Sequence, residues 1–122
     1  MDRERFAELV AEAVDALPEQ FAERLDNVAI VIDDEPSRQL LQELELDPRR
    51  DTLFGLFHGV PLRERGANHA MHLPDTITIF YRPLVHAYRS PGAIRREISR
   101  TLVHEIGHLF GFSEEEIRHA GY

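Results

Sequence analysis

Between Ser90 and Gly111 the chain specifies one long helix, and that helix carries the run His104-Glu105-Ile106-Gly107-His108. Ser90-Pro91-Gly92 offers a cap and a proline suited to a first turn, while Gly111 stops the pattern after Phe110. Between these ends Ile94, Ile98, Leu102, Val103, Ile106, Leu109 and Phe110 recur as a broad apolar arc. Such an arc must be covered by other elements, so the rest of the fold is built around it. His104 and His108 fall on the remaining stripe, with Glu97 and Thr101 one or two turns earlier. Both imidazoles therefore face a groove.

The HExxH spacing has a chemical meaning. Residues four apart on a helix stand about 6 Å above one another on one face. Two imidazole nitrogens can then converge on one metal at ~2.0–2.1 Å each. Glu105 points about 100° round the helix from His104, beside such a metal and not on it. A general base for a metal-activated water belongs there. The bland alternative is two surface histidines favouring a helix C-terminus by charge.

A site of this kind needs a third protein ligand. The chain has no cysteine, so the ligands must be histidine and carboxylate. Gly111 suits a left-handed helix end, after which the chain can turn back and present Glu114, ten residues after His104. The layout HExxHxxGxxE puts a carboxylate where metzincins place their third histidine. Ser113-Glu114-Glu115-Glu116 is also an N-cap followed by acids, with Glu116 placed to close a capping box. Glu115 and His119 are substitutes for Glu114. His58, His69, His72 and His86 follow no ligand spacing, though His69 and His72 lie in a loop that could touch substrate. Tyr81, Tyr88 and Tyr122 are candidates for an oxyanion-stabilising hydroxyl, with ordinary packing the better reading for each. Arg100, one turn before His104, either meets a substrate carboxylate or, as the spacing favours, pairs with Glu97.

The remaining elements follow from periodicity. Residues from Asp2 to Leu17 read as an amphipathic helix, and Pro18 opens a second short one through Phe21 and Leu25. Asn27 to Ile32 reads as a buried strand, Ser37 caps a helix with Leu40, Leu41 and Leu44, and Leu53 to Val60 forms a second strand. The glycines of that strand mark a bulge or a close backbone approach. Pro61 to Pro74 is a loop, and Thr76 to Tyr81 is the clearest strand. A short segment runs from Pro83 to Tyr88, and Ser113 begins a final short helix ending near Gly121. The 122 residues suit one α+β domain, 1–122, with a small sheet covered by helices.

Composition excludes several classes. A formal net charge of −8 argues against nucleic acid as a partner. A small metal-dependent endoribonuclease carries a similar helix with three histidines, but Glu stands at the third place here. No apolar run reaches the ~18 residues of a membrane span. The N-terminal Met1-Asp2-Arg3-Glu4-Arg5 leads into an amphipathic pattern and not a signal-peptide block, so the cytoplasm is the expected location.

Further stretches carry a resemblance. Asp26 to Ser37, Leu53-Phe54-Gly55-Leu56, Gly59-Val60-Pro61-Leu62 with Arg65, Pro74 to Phe80, His104 to Gly111 and the final Gly121-Tyr122 come in one order. Together they resemble the short bacterial zincin-like metallopeptidases, or minimal zincins, over nearly the whole chain. The resemblance implies a zincin-like α+β fold: a small mixed β-sheet packed against helices, with an edge strand above the metal cleft. It implies one zinc ion held by His104, His108 and an acidic third ligand at Glu114, with Glu105 as catalytic base. The family usually has Asp at that third place, one methylene shorter. The implied activity is zinc-dependent peptide hydrolysis on a peptide or protein laid along the edge strand, Thr76 to Tyr81 being expected for it. The competing class is a metal- or peptide-binding module without turnover.

Overall fold

The computed structural model describes residues 1–47, 53–58 and 75–122. The expected loop at Pro61–Pro74, with His69 and His72, and the expected strand end at Gly59-Val60 lie outside these residues. The described elements are α1 (Arg3–Asp15), α2 (Glu19–Ala22) with a 3-10 turn (Glu23–Leu25), β1 (Val28–Asp33), α3 (Arg38–Glu43), β2 (Gly55–His58), β3 (Asp75–Phe80), α4 (Tyr81–Ala87), α5 (Pro91–Phe110) and α6 (Glu114–His119). This is the expected α+β fold, with a mixed sheet, three-stranded among the described residues, packed against helices. Among the described residues no helix is long and apolar enough to cross a membrane.

Local chemistry accounts for the helix ends. Asp2 caps α1 by accepting from the Arg5 N–H at 2.8 Å, Ser37 caps α3 and Ser90 caps α5. Pro91 opens α5, and Gly111 ends it in the left-handed region at φ 77°. Tyr81 is the first residue of α4, so the third strand ends one residue earlier than its β-branched pattern implies.

Helix α5 is the element everything else covers. Phe6, Leu9, Val10 and Ala13 of α1 and Ile77 and Ile79 of β3 share one core cluster with Ile94, Ile98, Leu102, Val103 and Ile106. Ser99 is buried too, and its hydroxyl donates to the Ala13 carbonyl at 3.2 Å where α1 crosses. The apolar arc stops short of its expected end. Leu109 and Phe110 are 39% and 42% exposed, and the Arg24 guanidinium lies 5.2 Å from the Phe110 ring.

The sheet order is β1-β3-β2, with β1 parallel and β2 antiparallel to β3. The expectation that Thr76–Tyr81 forms the edge strand is therefore wrong. That segment is the central strand, its backbone groups used on both sides. The strand bordering α5 is β2, and among the described residues nothing pairs with its outer edge. Phe54 accepts from the Phe80 N–H at 2.9 Å, so by antiparallel alternation the backbone groups of Gly55 and Phe57 face that outer edge.

One glycine sets the distance between β2 and α5. A Cβ at Gly55 would sit 2.6 Å from Thr101 Cγ2 and 3.1 Å from the Thr78 carbonyl oxygen. Thr101 is β-branched and helical, so its methyl has little freedom to move aside. Gly55→Ala should therefore cost about 1–3 kcal/mol, as for other overpacked sites. Denaturant unfolding that matched wild type would show that the strand can shift freely.

Candidate metal centre

The C-terminal end of α5 and the turn after it bring the candidate ligands together. Gly111 adopts φ 77° and ψ 23°, and the Phe112 N–H returns to the Gly107 carbonyl at 2.9 Å, the 6→1 bond of a Schellman turn. Phe112 then packs on Phe21, ring centroids 4.7 Å apart. Ser113 and Glu116 form the reciprocal capping box that starts α6, through bonds of 3.1 Å and 3.0 Å. Ile117, fully buried, docks α6 onto α5 at Gly107, where a Cβ would meet its Cδ1 at 2.8 Å.

That docking turns Glu114 toward the histidines. Ligand atoms of His104, His108 and Glu114 all lie within 4.8 Å of one another. Glu115 and His119 do not join this group. The capping role that competed for this segment is taken by Glu116, so the box and a turned-in Glu114 coexist. The His108 Nε2 to Glu114 Oε1 distance is 3.5 Å. Donors at ~2.0–2.1 Å from one tetrahedral zinc lie about 3.4 Å apart. One pair thus already has the spacing, and the others need to close by little more than an ångström. His108 and Glu114 are exposed, free to make that adjustment by rotamer change. The donor set of two imidazoles and a carboxylate fits zinc.

Behind the candidate ligands, the chain turns once more at Gly121, φ 98°. Bonds from the Gly121 and Tyr122 N–H groups to Arg118 and Ile117 close a second Schellman turn. The Tyr122 carbonyl comes to 3.4 Å from His104 Nε2. That contact restrains the orientation of the His104 ring. Sequence reading attached no such role to Tyr122, because the contact depends on how α6 returns the chain.

Glu105 is half-buried on the same helix. Burial pushes its carboxyl above the usual carboxylate range, and nearby His108 pulls part of the way back. A carboxylate held this way is a stronger base than one in water. The cleft in front, of about 300 Å³, is lined by His104, Glu105, His108, Thr101, Arg100 and Glu97 of α5, with Phe54 and Gly55 opposite.

Residues 25–122 match the family of zincin-like metallopeptidases. The chain belongs to this family. No curated protein matches the chain. In this zincin-like chain the match covers the sheet, α5 and α6, and so every candidate ligand.

Other expected residues fall elsewhere. His58 ends β2 and His86 lies in α4, both exposed. The Tyr81 hydroxyl donates to the Met1 carbonyl and its ring packs edge-on against Phe6, away from the cleft. Tyr88 packs on Phe54, and burial, with Glu97 nearby, pushes its hydroxyl above the usual phenol range. The favoured Arg100–Glu97 pairing does not form: among the described residues no ion pair joins them.

The capping box has a pH signature. Bonds with Ser113 hold the Glu116 carboxyl below its ordinary range. A carboxyl depressed on folding stabilises above the unfolded value, and that gain fades as pH falls through the folded one. The stability difference between wild type and Glu116→Gln should thus be present at neutral pH and vanish in acid. Thermal unfolding across the carboxylate range checks this; a pH-independent difference would mean the charge plays no part.

Proposed function

We propose that the protein is a zinc-dependent peptidase, its metal held by His104, His108 and Glu114 and its general base Glu105. The observation that carries this reading is the convergence of two imidazoles and one carboxylate within 4.8 Å. Membership of the zincin-like metallopeptidases supports it. Zinc, when bound, would polarise the scissile carbonyl and lower the pKa of its water towards ~7.

The chain's own groups supply the rest. Glu105 takes the proton of the attacking water and returns it to the leaving amine. Its desolvation favours the proton-accepting step, since the charged form is the costly one. Substrate lies extended along the outer edge of β2, its backbone meeting the groups of Gly55 and Phe57. Gly55 and Phe54 bring that edge into the same cleft as the histidines. The Tyr122 carbonyl orients the His104 ring, a positioning role.

Two measurements test the proposal. Zinc should bind with a stoichiometry of one, and Glu114→Ala should weaken it at least ~10-fold, the lower bound for losing even an outer partner. Undiminished affinity in that variant would return the third place to another group. Glu105→Gln should keep zinc yet lose at least ~100-fold in peptide cleavage, the usual scale for a general base. Full activity in that variant would sink the role assigned to Glu105. Tight zinc with no cleavage of any peptide in a broad library would favour the non-catalytic metal- or peptide-binding module.

A further inference from the structure

Helix α5 carries a second chemistry one turn before the histidines. Arg100 lines the metal cleft and also a neighbouring hollow of about 520 Å³, which Arg95 and Arg96 border as well. All three arginines are exposed. Among the described residues the ion pairs are Arg3–Asp34, Arg5 with Glu8 and Glu12, and His108–Glu114, so none of the three is tied to a carboxylate. Glu97, the one acid between them in sequence, is likewise in none of these ion pairs. Three arginines against Glu97 and the half-buried Glu105 therefore line the cleft and the hollow beside it, in a chain whose formal net charge is −8. Surface charge of the prevailing sign would repel an acidic peptide; this patch would draw its carboxylate to one place.

We propose that Arg100, backed by Arg96 and Arg95, is a carboxylate-recognising subsite that selects peptides bearing an acidic group close to the scissile bond. The inference rests on the peptidase reading only for where that bond lies. Arginine suits the task, because its planar guanidinium grips a carboxylate through two parallel hydrogen bonds. Four residues of helix place Arg100 about 6 Å from His104 along the axis, and side chains lean towards the helix N-terminus. An extended peptide advances about 3.3 Å per residue, so Arg100 meets a group two to three residues from the bond. Arg96, about 12 Å away, meets one near four residues. The carboxylate can be a side chain or the peptide's own C-terminus.

The test uses labelled peptides with blocked ends and an otherwise neutral sequence, carrying one Glu, Gln or Lys scanned through each position. Binding to zinc-loaded Glu105→Gln protein is read by fluorescence anisotropy, and cleavage by wild type is measured alongside. Glu at one position, two to three residues from the cleavage point, should bind about tenfold tighter than Gln and tighter still than Lys. Raising salt from 0.1 to 1 M should shrink the preference as the screening length falls from about 10 to 3 Å. Adding Arg100→Glu should remove it while circular dichroism stays unchanged. A peptide truncated to put a free C-terminal carboxylate at that position distinguishes the two sources: tighter binding than its Glu counterpart assigns the subsite to a terminus, weaker binding to a side chain. Equal affinity for Glu and Gln at every position, no peptide binding at all, or a Glu preference that survives Arg100→Glu overturns the proposal. Selective binding without cleavage would instead discard the peptidase reading and keep the subsite; cleavage without selectivity would do the reverse.

Discussion

The burial of α5 against α1 and β3 is the constraint from which the rest follows. Ile98, Leu102 and Val103 are fully buried, so the helix cannot rotate without exposing them to water. Its rotation fixed, the stripe holding Glu97, Thr101, His104 and His108 can face only the gap beside β2. The gap is narrow because Gly55 has no side chain to hold the strand away. Core packing thus sets both the direction of the imidazoles and the distance to the strand a substrate would join.

The second organising device is local. Gly111 reverses the chain, Phe112 anchors the reversal on Phe21, and Ser113 with Glu116 starts α6 at once. Four consecutive chemical choices in six residues leave Glu114 little option but to meet His108. The extra methylene of Glu over Asp does not prevent the approach. Each histidine also has a distinct neighbour: His104 the Tyr122 carbonyl, His108 the Glu114 carboxylate.

What was legible in the sequence was what short-range chemistry decides. Ser90-Pro91 and Gly111 marked the ends of α5, and the spacing after Gly111 pointed at Glu114. Strand order was not legible. Thr76, Thr78, Ile77 and Ile79 alternate as an edge strand would, yet Thr78 is only 7% exposed, because β1 and β2 flank it. Pairing between distant segments leaves no mark in either one alone. Helical spacing likewise favours pairing of Arg100 with Glu97, yet among the described residues no ion pair joins them. Leu109 and Phe110 look like core by periodicity, which counts apolar residues but cannot say where the covering element ends.

Two of the three candidate donors stand on a twenty-residue helix sealed into the core, and the third on a six-residue helix at its edge. These elements differ in how readily they open. Short peripheral helices fray at a fraction of the free energy that global unfolding requires. An ion shared between the two would lend the periphery some of the stability of the centre, since α6 could then swing out only after release of the ion. Amide protons of α6 would exchange with solvent on the timescale of metal dissociation and no longer on that of a loose chain end. The binding event would be written into the dynamics of this one element, and the core would barely register it.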